Sequence, residues 1–100
     1  MNTSTATETN LTTLRAQHSA WTDAHIATYP GQEINRPHYD SFRASAKLGR
    51  ITKAPSIKGR KVLVRGAAVL FTIDENDRTL AHVWAPGYSA LIDSRNVAAA

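Results

Sequence analysis

The sequence predicts an α+β domain in which two N-terminal helices precede a small antiparallel β-sheet, or an SH3-like barrel, of about four strands. Three observations carry that expectation. Residues between Leu11 and Tyr29 recur at spacings of three and four, the period of one helical face. From Arg60 onward the period drops to two, as strands require. Pro-Gly and Asp/Asn clusters punctuate both halves and divide them into short elements. One hundred residues suffice for one domain with a small core. The expected division is a flexible arm over 1–10, a single domain over 11–97 and a tail over 98–100.

Met1 to Asn10 is rich in Thr, Ser and Asn and reads as the mobile arm. It carries neither a positive side chain nor an apolar run, so it lacks the marks of a signal peptide. The first helix is expected over Leu11 to Tyr29, with Asn10 as its N-cap and Pro30-Gly31 as its stop. Leu11, Leu14, His18, Trp21 and His25 form its stripe, diluted by the two histidines. After a loop over Gln32 to Asn35, a second helix is expected. Asn35 would cap it, Pro37 suits its first turn, and Gly49 would end it. On that helix Tyr39, Phe42 and Ala46 share one face, and Arg43, Lys47 and Arg50 share another.

Arg50 to Gly59 reads as a basic connector, with Pro55 blocking regular helix. A strand is expected from Arg60 to Arg65, where Val62 and Val64 alternate with Lys61, Leu63 and Arg65 and Gly66 breaks the run. Ala67, Val69, Phe71 and Ile73 then mark one face of a second strand. An Asp/Asn turn follows over Asp74 to Arg78, a third strand over Thr79 to Ala85, a turn at Pro86-Gly87, and a fourth strand over Tyr88 to Asp93. Asn96 to Ala100 reads as a fraying tail.

Charge is the most informative property. No acid occurs from Ser41 to Ile73, a run of 33 positions that holds Arg43, Lys47, Arg50, Lys53, Lys58, Arg60, Lys61 and Arg65. That segment carries +8, while the remaining four basic and eight acidic residues sum to −4, which together give the net +4. A patch of one sign attracts and orients a polyanion. The eight basic side chains are therefore the expected contacts to DNA, RNA or an acidic protein surface. Trp84 and Tyr88, flanking the Pro86-Gly87 turn, are candidate stacking platforms for bases or, alternatively, parts of the core.

The chemistry of catalysis is sparse. There is no cysteine, which excludes disulfides, thiolate metal sites and a cysteine nucleophile. Gly49, Gly59 and Gly66 are isolated and form no phosphate loop, and no HExxH or EF-hand spacing occurs. His18 and His25 are two helical turns apart, about 10.5 Å of rise, too far to share one metal. His38 could contact phosphate or cover a helix N-terminus, and His82 alternates with Leu80 and Trp84 as a sheet histidine. No metal site, cofactor or enzyme activity is expected. The longest apolar run, Ala67 to Phe71, is too short to span a bilayer, so no membrane partner is expected either.

The run SFRASAKLGRITKAPSIKGRKVLVR, about 25 residues, resembles the recognition helix and wing of excisionase-like and MerR-like DNA binders. There a helix ends at Gly-Arg, and a Pro-containing turn leads to a Gly-Arg-Arg strand. The resemblance implies a winged helix-turn-helix as the alternative fold, with Arg43 and Lys47 in the major groove and Lys58, Arg60 and Lys61 on phosphates. This sequence departs from that pattern downstream, where it continues in strand from Ala67 to Ala85. Its inter-helix loop is also longer than the usual three or four residues.

The expected function is thus that of a small non-enzymatic nucleic-acid-binding protein using segment 41–73. Two alternatives stand beside it. One is a small structural subunit of a virion or ribonucleoprotein, forming a homo-oligomer or larger assembly. The other is an inhibitor or adaptor docking on an acidic protein. The expected location is the cytoplasm or an assembled particle.

Overall fold

The computed structural model describes residues 3–54 and 64–100, with side chains from residue 10 onward. The elements are α1 (Thr3–Thr28), a 3-10 turn (Gln32–Asn35), α2 (Arg36–Ser45), β1 (Lys47–Ile51), β2 (Ala68–Ile73), β3 (Leu80–Ala85), β4 (Tyr88–Asp93), a second 3-10 turn (Ser94–Asn96) and β5 (Val97–Ala99). The α+β class expected from the sequence is therefore the observed one.

The five strands form one antiparallel sheet in the order β4-β3-β2-β1-β5, and the sheet does not close into a barrel. Pairing fixes the faces. Leu48, Leu70 and Trp84 are aligned in register and join Leu14 and Ala46 in a core layer between sheet and helices. Leu11, Trp21, Phe42 and Ala68 pack at its margin. The opposite face of the sheet is buried as well, with Ile51, Val69, Phe71, Ala81, Val83, Ile92 and Val97 in a second cluster. Burial on both faces explains why Ala67 to Phe71 reads as an unbroken apolar run instead of alternating with polar residues. Val69 and Leu70 are neighbours on opposite faces, and neither is accessible.

Several local expectations need correction. Helix α1 begins at Thr3, upstream of the expected cap at Asn10. Residues 3–9 contain neither proline nor glycine, so nothing in the sequence stops a helix once it is nucleated. Helix α2 ends at Ser45, where Ala46 turns extended, and Gly49 lies inside β1 instead of ending the helix. The reason is packing. A Cβ on Gly49 would stand 2.6 Å from the Phe71 ring and 2.9 Å from Val97, so only glycine admits the close approach of those side chains. Asn35 stands at the α2 N-cap without capping through its side chain; its amide donates instead to Gln32 Oε1 at 2.9 Å.

The expected loose tail is also overturned. Val97–Ala99 pairs with β1, and the Ala100 amide donates to the Leu48 carbonyl at 3.0 Å. Val97 is buried, so this strand is anchored by a core side chain. Two of the five described strands were thus not expected: β5, and β1, which occupies Lys47–Ile51 where the end of the second helix and the start of the connector were expected. Of the strand expected at Arg60 to Arg65, Arg60 to Leu63 lie outside the described residues, and Arg65 sits in a turn with Gly66. The later elements match closely. Asp74 begins the β2–β3 connection by accepting the amides of Asn76 and Asp77 through Oδ2. Pro86 and Gly87 close the β3–β4 hairpin, with Gly87 at φ 79°, a conformation glycine adopts without strain.

Candidate nucleic-acid interface

The eight basic residues do not share one element or one environment. Arg43 is committed internally. Its Nη1 donates to His18 Nδ1 at 3.0 Å and to Thr22 Oγ1 at 3.3 Å, and its Nη2 pairs with the Asp40 carboxylate. Thr22 Oγ1 in turn donates to the His18 carbonyl at 2.8 Å. Arginine stays protonated, so His18 Nδ1 can only accept, and the imidazole is neutral. Burial, followed by the Arg43 charge, holds the His18 pKa down to about 4. A guanidinium spent on locking α1 to α2 is not available to a groove. Moreover, Lys47 sits on a strand, so the shared helical face of Arg43, Lys47 and Arg50 does not exist.

On β1, Lys47 lies on the face of Gly49 and Ile51, while Arg50 lies on the face of Leu48. Strand alternation therefore separates two charges that a helix would have brought together. Arg50 remains exposed and reaches across the strand pair, its Nη1 donating to the Gly66 carbonyl at 3.2 Å. Lys53 is exposed just beyond the end of β1. Arg65 is exposed in the turn that leads into β2, beside the Gly66 amide that donates to the Ile51 carbonyl at 2.7 Å. Arg50, Lys53 and Arg65 are thus gathered at one end of the β1–β2 pair. Lys58, Arg60 and Lys61 fall between them in sequence and lie outside the described residues.

Among the described residues, the ion pairs are Arg36–Asp23 at 3.0 Å, Arg43–Asp40 and Arg95–Asp93 at 2.8 Å, and His82 Nε2 lies 2.8 Å from Asp74 Oδ1, a contact that is an ion pair only when the imidazole is protonated. Lys47, Arg50, Lys53 and Arg65 belong to none of them. Asp93 is the acid that senses Lys53, and it is already held at about 2 chiefly by the hydrogen bonds from Arg95.

The two candidate stacking residues are separated by the sheet. Trp84 faces the helices, is 4 % exposed, and meets His18 edge-on at 4.9 Å between ring centres. Tyr88 lies on the other face against the second cluster, and burial raises its pKa. They cannot stack on one strand of bases together. The stripe of α1 gains its purpose here as well: Trp21 stacks on His25 at 4.9 Å and meets Tyr39 edge-on at 5.3 Å. The histidines that dilute the stripe are aromatic packing partners.

A cavity of about 350 Å³ opens between the helices and the β3–β4 hairpin, walled by His18, Trp21, Tyr39, Phe42, Trp84 and Leu91. A second, of about 410 Å³, contains His38, Ser41, Ser45, Asp74 and His82. There His82 Nε2 lies 2.8 Å from Asp74 Oδ1, and His82, then the Asp77 amide, hold the Asp74 carboxyl below its usual range. The Ser45 hydroxyl is turned back onto the Ser41 and Phe42 carbonyls, and among the described residues no serine hydroxyl bonds His82. Nor does any group of three or more His, Cys, Asp or Glu side chains there gather as a metal site. No described helix is long and apolar enough to cross a membrane. Sequence reasoning missed the Arg43–His18–Thr22–Asp40 network, because its members come from two helices and no periodicity links them.

Comparison of the chain with protein-family models, with curated proteins and with solved structures finds no match.

Proposed function

We propose that this chain is a small non-enzymatic nucleic-acid-binding protein whose phosphate contacts come from the end of the β1–β2 pair. One observation carries the reading. Arg50, Lys53 and Arg65 are exposed at that end, form no ion pair among the described residues, and flank in sequence a stretch bearing Lys58, Arg60 and Lys61. Cations without internal acids retain their full attraction for phosphate and release condensed counterions on binding. In this reading the contacts come from the end of two central strands of an open sheet, β2 and β1, flanked by β3 and β5. A groove-reading helix has no part in it, because Arg43 is consumed inside the domain. Phosphate contacts position a protein without reading bases, so binding is expected to be weakly sequence-dependent.

The test is a salt titration of binding to duplex DNA, single-stranded DNA and RNA. With about five phosphate contacts, the logarithm of duplex affinity falls against log salt with a slope near −4 to −5. Replacing Arg50, Lys53 and Arg65 together by alanine shortens that slope by about 3. A flat salt dependence, or nuclease-resistant capture of one acidic protein in place of nucleic acid, defeats the reading.

A further inference from the structure

The two edges of the sheet differ in how they are guarded. At one edge β5 is only three residues long, and short edge strands resist pairing with other chains. At the other edge β4 is six residues long, Tyr-Ser-Ala-Leu-Ile-Asp, with no proline, no lysine and no positive-φ residue. At its centre Leu91 is 49 % exposed, although it stands in a strand whose neighbour Ile92 is buried.

The hydrogen-bond phase of this strand follows from its flanks. The Ser94 amide donates to the Thr79 carbonyl at 2.8 Å, and Ala81 pairs with Ile92 and Val83 with Ala90. In an antiparallel ladder, bonded pairs recur at every second residue. The amides and carbonyls of Tyr88, Ala90 and Ile92 therefore point into β3, and those of Ser89, Leu91 and Asp93 point away from it. Among the described residues nothing pairs with that outward set.

We propose that β4 is a self-association edge, pairing antiparallel with β4 of a second copy about a two-fold axis through Leu91. The register is dictated by the outward set. Placing Leu91 opposite Leu91 sets Ser89 against Asp93 and Asp93 against Ser89, so all three outward residues bond and about six backbone hydrogen bonds form. Shifting by two residues in either direction loses one bonded pair or more. The side chains agree with this register. The exposed Leu91 meets its own copy on the helix-bearing face, beside the mouth of the aromatic cavity that it helps to line. Ser89 stands opposite Asp93, a small hydroxyl facing a carboxylate whose oxygens already accept from Arg95, so no like charges are opposed. This self-complementarity is what selects a second copy over an unrelated strand, and it makes one continuous sheet with the helices of both copies on the same side. The contact is a single strand pair, smaller than a permanent interface, so the dimer forms with rising concentration instead of persisting on dilution.

The absence of cysteine makes the register directly testable. Facing Cα atoms of a bonded antiparallel pair lie about 5.5 Å apart, within disulfide reach. Leu91→Cys is expected to cross-link to itself under mild oxidation. Ser89→Cys alone places its sulfurs about 14 Å apart in this register and cross-links poorly, whereas Ser89→Cys mixed with Asp93→Cys gives the heterodimer. Light scattering on the unmodified chain should show mass rising from one chain toward two as concentration approaches millimolar. Leu91→Lys should hold the mass at one chain with an unchanged circular dichroism spectrum. A chain that stays monomeric throughout, with Leu91→Cys no faster to cross-link than Ser89→Cys, overturns the proposal. So does a dimer that survives Leu91→Lys.

Discussion

Arg43 Nη1 and His18 Nδ1 stand 3.0 Å apart, joining the middle of α1 to the second half of α2 through a charged donor and a neutral imidazole. The Asp40 carboxylate balances the guanidinium from the same helix, and Thr22 supplies a further acceptor. A half-buried charge kept in this way is a structural element, and its removal leaves the buried His18 Nδ1 without its donor.

Arg43→Ala is accordingly expected to destabilise the fold by about 1–3 kcal/mol in urea unfolding. It should leave nucleic-acid affinity close to that of the parent chain at a fixed salt concentration. Arg50→Ala should show the reverse pattern, with little loss of stability and a shorter salt slope, because Arg50 is exposed. Equal effects of the two substitutions on binding would remove the distinction between them.

Stability should also depend on pH through His18. Its folded pKa is about 4 against an ordinary 6.5, so between those values the unfolded chain binds the extra proton. Stability is therefore full above about pH 6.5 and declines as pH falls toward 4, by up to about 3 kcal/mol. His18→Gln, measured by urea midpoints from pH 7 to pH 4, should flatten the part of the decline that lies above pH 5. Asp74 and Asp93, both depressed, account for losses at more acidic pH, since their stabilisation is present above the ordinary carboxylate pKa and is lost as pH falls through the folded value.

Gly49→Ala tests the close packing of β1. The new methyl would overlap the Phe71 ring and the Val97 side chain, both of which are buried. A loss of about 1–3 kcal/mol is expected, although alanine is otherwise the better residue for order. Phe71→Leu in the same chain should recover part of that loss by freeing volume. A neutral Gly49→Ala would show that the Phe71 ring can move aside.

Deleting Val97 to Ala100 removes a strand and exposes the outer edge of β1. Val97 is a buried member of the second cluster, so its loss alone is expected to cost about 1.5–3 kcal/mol, with the β5 backbone bonds in addition. A thermal midpoint unchanged by the deletion would return these residues to the status of a loose end.

How much of this was legible in the sequence depended on the range of the interactions. The core of α1, the β2 face of Val69, Phe71 and Ile73, the Asp74 turn, the Pro86-Gly87 hairpin and the limits of β4 all follow from period and turn chemistry, which act over a few residues. The end of α2 did not follow. Gly49 has the composition of a helix stop, yet its place is set by Phe71 and Val97, which are 22 and 48 positions away. The strand at Val97 was equally hidden, because three small residues carry no periodic signal and acquire order only by pairing with β1.

The acid-free run from Ser41 to Ile73 was determined by the sequence alone, and so was its charge of +8. Its spatial meaning was decided by the tertiary structure. Arg43 was drawn inward by His18 and Asp40, Lys47 and Arg50 were sent to opposite faces by the alternation of a strand, and Arg50, Lys53 and Arg65 were collected at the end of the β1–β2 pair. Charge is additive along a chain, but the direction of a side chain is set by the element that holds it, and here that element was chosen by contacts remote in sequence.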